Sequence, residues 1–201
     1  MSTFYSLERN KRYPDVWYND KIELHRTVVC PMNDGHQRAA RNDSNLSIRI
    51  KSKVIGDFIT TVYSDLLITD KVVNIFAVNK LTGYELRRVD VCNKDLPYNI
   101  WELIITGKGG EAHKDSGIVF KRQCEYCKHT VYSAFTNGIG IIVDENNWDG
   151  SDLFTINAYS KYILVNEKVK DLINNNGLKG VIPILSRNLI RNDRFGNEVS
   201  P

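Results

Sequence analysis

The chain has 201 residues, of which 42% are hydrophobic and 25% are charged, and its formal net charge is +3. This composition is typical of a globular protein and excludes a collagen-like or intrinsically disordered chain. The small positive excess, without a basic stripe, predicts neither nucleic-acid binding nor attachment to a membrane surface. The length suits a single domain over residues 1–201, or two lobes of about 1–95 and 96–190 that share a core.

The N-terminal segment predicts that the protein is made and kept in the cytoplasm. Residues 1–12 carry charges where a signal peptide would have a continuous apolar region. No stretch approaches the roughly 18 apolar residues of a membrane span. The four cysteines are Cys30, Cys92, Cys124 and Cys127. In a reducing compartment they are not expected to form a disulfide framework.

Two segments share one pattern: a short apolar strand, a capping residue, an acidic residue, an apolar helical face and a glycine turn before a second strand. They span residues 66–89 and 162–185, with Thr69 and Asn166 as the predicted N-caps. A shift of 97 positions pairs residues 67–87 with 164–184 without a gap and leaves six identical pairs. We predict one strand–helix–turn–strand unit used twice. A common αβ connection that arose twice independently is the alternative.

Residues 97–143, between these units, are predicted to form a β-rich insert that ends in an apolar strand over 138–143. The predicted fold class is therefore α+β, with a mostly antiparallel sheet, the two repeated units and the insert. The last segment, 188–201, is polar and is predicted to fray.

Cys124 and Cys127 form a CxxC pair between two predicted strands. This spacing lets two thiolates bind one zinc ion, which needs four ligands in a structural site. The nearest candidates for the remaining ligands are Cys30, His36 and His129. Two alternatives stay open: unmetallated thiols in a degenerate hairpin, and a redox pair, which would normally lie at the start of a helix.

Four carboxylates fall within the nine residues 144–152 without a compensating base. One interpretation is a structural turn around a turn dipeptide, Asp-Gly, at residues 149–150. A second is a contact surface for a basic partner. A third is a calcium loop, although the spacing departs from the EF-hand pattern. The residues predicted to bind a partner are Asp144, Glu145, Trp148, Asp149 and Asp152.

Motifs of catalysis are missing from the sequence. It contains no GxSxG, no HExxH, no P-loop and no GxGxxG after a strand. We therefore expect a protein that is not an enzyme.

Taken in order over residues 28–185, these features resemble the double-CxxCG immunity proteins of bacterial polymorphic-toxin systems, a group linked to swarm-exclusion toxins. The motifs that carry the resemblance are the Cys30-Pro31 loop, the 66–84 unit, the Cys124–Cys127 knuckle, the 148–154 stretch and the 163–181 unit. Two positions depart from the pattern. Asn33 stands where the first CxxC would have its second cysteine, and Lys128 stands where a glycine would follow the second.

The resemblance implies a cytoplasmic immunity protein that binds a cognate protein toxin and neutralises it by occlusion. With Asn33 in the first motif, a zinc site would consist of Cys30, Cys124, Cys127 and one other ligand, which we predict to be His36. A zinc-stabilised structural or regulatory binding module without a toxin partner is the alternative.

Overall fold

The structure, a computed structural model, describes residues 2–19, 26–28, 30–36, 38–39, 46–62, 64–136 and 139–190. These residues form two α-helices, fifteen strands and short 3-10 helices. The helices are α1 (Asp70–Val78) and α2 (Glu167–Asn175). The strands are β1 (Phe4–Arg9), β2 (Trp17–Tyr18), β3 (Arg26–Val28), β4 (Arg38–Ala39), β5 (Leu46–Arg49), β6 (Phe58–Thr60), β7 (Leu66–Thr69), β8 (Tyr84–Val91), β9 (Ile100–Ile105), β10 (Gly107–Lys108), β11 (Phe120–Gln123), β12 (Thr130–Tyr132), β13 (Leu153–Thr155), β14 (Leu164–Asn166) and β15 (Val181–Leu185).

Most strands belong to two larger sheets. The first has the order β10-β13-β14-β1-β15, and the second has the order β2-β5-β8-β9-β7-β6. Neighbouring strands are antiparallel except for two parallel pairs, β10 with β13 and β5 with β8. The pairs β3–β4 and β11–β12 form separate two-stranded ribbons. The predicted α+β class is therefore confirmed, and both larger sheets are mixed, with antiparallel pairs in the majority.

The two segments that share a sequence pattern also share an order of elements. The first is β7, α1 and β8, and the second is β14, α2 and β15. In each, a third strand lies between the two strands and runs antiparallel to both, namely β9 in the first and β1 in the second. The predicted strand–helix–strand order is observed in both segments. Their equivalence as one repeated unit stays a prediction.

Both helices bury their apolar faces in the same core. Val72 and Phe76 of α1 and Val169 and Ile173 of α2 are buried members of one hydrophobic cluster. Fully burying an aliphatic or aromatic side chain contributes about 1.5–3 kcal/mol. The helices therefore build the interior, as their spacing predicts.

The glycine turn of the first segment is hydrogen-bonded to the start of β13, the strand that pairs with β14 of the second segment. The backbone N–H of Thr82 donates to Asp152 Oδ2 at 2.8 Å, and the carbonyl of Thr82 accepts from the N–H of Leu153 at 3.1 Å. Gly83, at φ +87°, lies so close to the Leu153 carbonyl that a Cβ would overlap it. The turn thus docks by backbone contact on the start of β13.

The glycine turn of the second segment makes the corresponding contact with the start of β6. The backbone N–H of Lys179 donates to Asp57 Oδ2 at 2.8 Å, and its carbonyl accepts from the N–H of Phe58 at 2.8 Å. Gly180, at φ +110°, leaves no room for a Cβ against the Phe58 carbonyl. Because β6 pairs with β7 and β13 with β14, each segment is held by the turn of the other.

The two helices begin differently. Asn166 Oδ1 accepts the N–H of Val169 at 3.2 Å, which is the predicted N-cap bond. Thr69 occupies the N-cap position of α1, but its side chain makes no cap bond, and its buried Oγ1 has no hydrogen-bond partner among the described residues. The predicted side-chain cap at Thr69 is therefore wrong. Thr69 is also the last residue of the fully buried strand β7, so its side chain is enclosed in the interior.

Asp70 ties the start of α1 to β9. Its Oδ1 accepts Trp101 Nε1–H at 2.6 Å, and its Oδ2 accepts the N–H of Asn99 at 2.8 Å. The Trp101 donor first, and the Asn99 N–H second, lower the pKa of Asp70 from its ordinary 3.8. A lowered pKa in the folded state adds stability that is present above the unfolded-state pKa and is lost as pH falls through the folded-state pKa.

We therefore expect Asp70→Asn to lower the free energy of unfolding at neutral pH, and to lower it less once the pH drops below about 4. Urea titrations of both proteins at pH values on either side of this point measure the difference. A difference that stays constant across that range would contradict the assigned role of the Asp70 carboxylate.

The predicted β-rich insert is present as β9 to β12, but its last strand is not. Among the described residues 139–143, only an isolated bridge joins Val143 to Ala112. Ile141 and Val143 are buried in a second core with Phe135 and Phe154, so their apolar character reflects packing. The prediction of a strand over 138–143 is wrong for the residues described.

The two predicted lobes exchange strands. β1, from the N-terminal part, lies in the sheet otherwise made by β10 and the later strands, and β9 lies in the sheet of the earlier strands.

The predicted frayed tail falls, from residue 191 onward, outside the described residues. Neither described helix has the length and hydrophobicity needed to cross a bilayer.

Candidate metal centre

The CxxC pair lies at the tip of the ribbon formed by β11 and β12. The N–H of Cys124 donates to the carbonyl of His129 at 2.8 Å, and the N–H of Lys128 donates back to the carbonyl of Cys124 at 2.9 Å. Lys128 has φ +57°, the left-handed conformation that glycine adopts at little cost. Lys128 therefore holds a backbone conformation that a glycine would adopt more cheaply.

The other two predicted ligands come from the loop between β3 and β4. A short 3-10 helix spans Asp34–His36, and the N–H of His36 donates to the carbonyl of Asn33 at 3.0 Å. Cys30 is buried, with 1% of its surface exposed. This turn brings His36 back towards Cys30, six residues before it.

The structure brings all four predicted residues together. Their ligand atoms lie within 4.8 Å of one another. Cys30 Sγ is 3.8 Å from Cys124 Sγ, and His36 Nδ1 is 3.7 Å from the Sγ atoms of both Cys30 and Cys127. Two thiolates on a tetrahedral zinc ion lie about 3.8 Å apart, and a thiolate and an imidazole nitrogen about 3.6 Å apart. The four side chains could hold a metal ion.

The electrostatics of the cluster also fit a cation. The backbone N–H of Cys127, and to a smaller degree that of Tyr126, lower the pKa of Cys124 to about 6. Loss of hydration raises the pKa of Cys127, and the neighbouring sulfurs of Cys124 and Cys30 raise it further. One sulfur thus ionises readily while the next resists a second negative charge. A bound metal ion relieves this repulsion and deprotonates its thiol ligands.

His129, the other histidine near the knuckle, is not among the four converging residues. Its ring packs against the ring of His36 with the centroids 4.6 Å apart. The structure also places the CxxC pair in a hairpin turn that leads into β12, and not at the start of a helix. This arrangement lacks the helix N-terminus that a redox CxxC normally uses.

The first half of the acidic stretch 144–152 is a turn closed by its own side chains. Asp144 accepts the N–H of Asn146 at 3.1 Å and the side-chain amide of Asn147 at 2.8 Å. Glu145, which is exposed, accepts both the N–H and the hydroxyl of Ser2 at 2.8 Å. These carboxylates therefore have internal hydrogen-bond partners.

The second half of the stretch is anchored in the same way. Asp149 accepts the N–H of Lys108 at 2.8 Å and the N–H of Ser151 at 3.0 Å. Trp148 packs on Phe4 and Phe154, with ring centroids 5.0 and 5.6 Å away. The contacts expected of a structural turn are present here.

Asp152 is a buried structural residue, with 8% of its surface exposed. Besides Thr82, its carboxylate accepts the side-chain amide of Asn166 at 2.8 Å and lies 3.8 Å from Lys168 Nζ. It has little surface to offer a partner. Partner binding by the more exposed carboxylates of Asp144, Glu145 and Asp149 stays a prediction.

Within the described part of the chain, the cluster of Cys30, His36, Cys124 and Cys127 is the one group of three or more such side chains close enough to share a metal ion. The acidic stretch does not form a second one, so the calcium-loop interpretation is not supported. An ion pair between the half-buried Arg87 and the buried Glu102, with Arg87 Nε and Glu102 Oε2 2.8 Å apart, has no counterpart in the sequence predictions. A lone glutamate within the apolar strand β9 was the available signal.

Comparison with the models of known protein families gives no match to this chain, and comparison with curated proteins gives none either. The resemblance to double-CxxCG immunity proteins therefore stays a prediction.

Proposed function

We propose that this protein is a non-enzymatic, protein-binding module whose Cys30, His36, Cys124 and Cys127 hold one structural zinc ion. The observation that carries the proposal is the convergence of four ligand atoms within 4.8 Å of one another. A set of four protein ligands is closed, as in structural zinc sites, whereas catalytic zinc sites keep a position for water or substrate. Thiolate and imidazole ligands favour zinc over magnesium and calcium, which take oxygen ligands.

The metal proposal is tested by elemental analysis of the purified protein. We expect one zinc ion per chain in the wild type and loss of that ion in Cys124→Ser. Cys92→Ser is the matched control, because Cys92 is an exposed free cysteine outside the cluster. Substitution with cobalt should give the visible spectrum of a tetrahedral sulfur-rich site. Equal metal content in all three proteins would contradict the assignment.

The partner that we propose is a bacterial toxin, which the protein neutralises by occlusion in the cytoplasm. The support is the resemblance in the order of the Cys30 loop, the CxxC knuckle and the two helix units. The reducing cytoplasm would keep the cysteines as metal-binding thiolates. The test is co-expression with the toxin encoded next to this gene. Survival and a complex in gel filtration are expected, whereas continued killing without a complex would exclude this partner.

The two strand–helix–strand segments, we propose further, are copies of one structural unit. The support is the reciprocal contact in which the turn of each segment docks on a strand, β13 or β6, that pairs with the strand preceding the helix of the other segment. Asp57 and Asp152 accept the N–H groups of Lys179 and Thr82, which are aligned positions in the two segments. The scaffold thus consists of the two units and their junction, and it leaves the ribbon with the metal centre outside.

A further inference from the structure

The ribbon that carries half of the metal ligands stands apart from the two main sheets. We name residues 119–132 the knuckle hairpin; it contains β11, the CxxC turn and β12. All four residues of β11 are exposed, and the strands pair only with each other among the described residues. We propose that the knuckle hairpin is the docking element for a protein partner that presents carboxylates around an apolar side chain. This inference rests on the proposed function as a protein-binding module.

The charge of the knuckle hairpin selects an acidic partner. Lys121, Arg122 and Lys128 are exposed, and no ion pair joins them to a carboxylate in the described part of the chain. The carboxylates of the acidic stretch, in contrast, are taken up by internal hydrogen bonds. Cations without internal partners are the groups that steer an oppositely charged protein into contact.

The hairpin also exposes large apolar groups beside these cations. Phe120 is 56% exposed, Tyr126 is 67% exposed and Val119 is 60% exposed. Exposed aromatic side chains are enriched among the residues that dominate binding energy at protein interfaces. An aromatic group flanked by cations is therefore complementary to an apolar side chain flanked by carboxylates.

A cleft at the base of the hairpin gives the partner's apolar side chain a place to enter. Its volume is about 470 Å³, and Phe120, Tyr132, Ile118 and Ala112 contribute to its lining. The rings of Phe120 and Tyr132 meet edge to face with centroids 6.1 Å apart. The Tyr132 hydroxyl donates to Glu111 Oε1 at 2.8 Å and holds this wall in place.

The metal centre links the docking element to the body of the protein. A two-stranded hairpin alone is marginally stable in water. At its tip, Cys124 and Cys127 meet the buried Cys30 and the half-buried His36 of another loop. A metal ion that joins the four side chains would fix the direction of the hairpin, so that docking depends on the metal.

Single-stranded nucleic acid also binds to aromatic and basic groups. A protein is favoured here because the cations are few and carboxylates lie among them. Glu125 is exposed between the two cysteines, and Asp144 lines the cleft. These groups would repel a phosphate backbone and are tolerated by a protein surface with charges of both signs.

The experiment measures binding of the toxin encoded next to this gene, as a catalytically inactive variant, to the zinc-loaded protein. The double variant Lys121→Glu/Arg122→Glu should raise Kd at least about tenfold, and Phe120→Ala should do the same without a change of charge. The matched control is Lys11→Glu/Arg12→Glu, which makes the same charge change in an exposed turn after β1. It should alter Kd less than about twofold.

Zinc content and circular dichroism of each variant show whether it has kept its metal site and its fold. If the charge reversal disturbs the metal centre, Phe120→Ala still tests the hairpin, because it leaves the charges unchanged. If the wild type binds the toxin and the hairpin variants bind as the control does, the docking inference is overturned and the proposed function stands. If the wild type does not bind the toxin, both are overturned. A fluorescent single-stranded oligonucleotide tests the other class of partner. If it binds the wild type but not Lys121→Glu/Arg122→Glu, the partner of the hairpin is nucleic acid and the proposed protein partner is overturned.

Discussion

Removal of the proposed zinc ion is expected to lower the free energy of unfolding by about 4 kcal/mol when free zinc is initially a thousandfold above its Kd. The reason is that a ligand set assembled from two distant loops exists only in the folded chain. Cys30 and Cys124 are 94 residues apart in sequence, yet their sulfurs lie 3.8 Å apart. The free energy of metal binding at such a site therefore adds to the stability of the folded state.

Urea unfolding with and without a chelator measures this loss, and hydrogen exchange locates it. We expect protection to fall first in the knuckle hairpin and in residues 30–36, because both lie outside the large cores. The core around Phe76 and Ile173 should keep its protection longer. Cys124→Ser should reproduce the chelated state, and Cys92→Ser should retain the wild-type response. An unchanged midpoint after chelation would show that the cluster adds no stability as a metal site.

The second large effect is expected at Gly180. Gly180→Ala should lower the free energy of unfolding by about 3–5 kcal/mol, because it combines a strained backbone with a clash against main-chain atoms. Gly180 has φ +110°, and a Cβ there would overlap the Phe58 carbonyl oxygen and approach the Phe58 Cα. A main chain cannot rotate away as a flexible side chain can. The contact between the turn and the start of β6 would therefore have to open.

Gly177→Ala is the matched control, three residues earlier in the same turn. Gly177 also has a positive φ, +56°, but a Cβ there would meet no described atom within 4 Å. Its cost should be the left-handed backbone alone, about 1–2 kcal/mol. Thermal unfolding of both variants measures the difference between their losses of stability. Similar losses in the two proteins would show that the docking of the turn on β6 contributes little.

Local order could be predicted well from the sequence. The apolar spacing around Val72 and Val169 identified both helices, and the glycines at 83 and 180 marked their turns. Asn166 was a correct cap, whereas Thr69 was not, because burial of strand β7 outweighed its preference for capping. The apolar run ending at Val143 predicts a strand, although its side chains are buried without a ladder of backbone hydrogen bonds. An apolar run has the same composition whether it forms a strand or packs in the core as irregular chain.

For the candidate centre, the CxxC spacing is readable from the sequence because a knuckle is a local structure, and the resemblance adds Cys30 and His36 as the predicted ligands. That His36 converges with Cys30 on the knuckle, while His129 does not, depends on how two loops meet in the folded chain. The insertion of β1 between β14 and β15, which lie far along the chain, is equally non-local. The acidic stretch shows the same limit: its charges are visible in the sequence, but the backbone N–H groups of Lys108 and Thr82 that bind Asp149 and Asp152 are brought there by the fold.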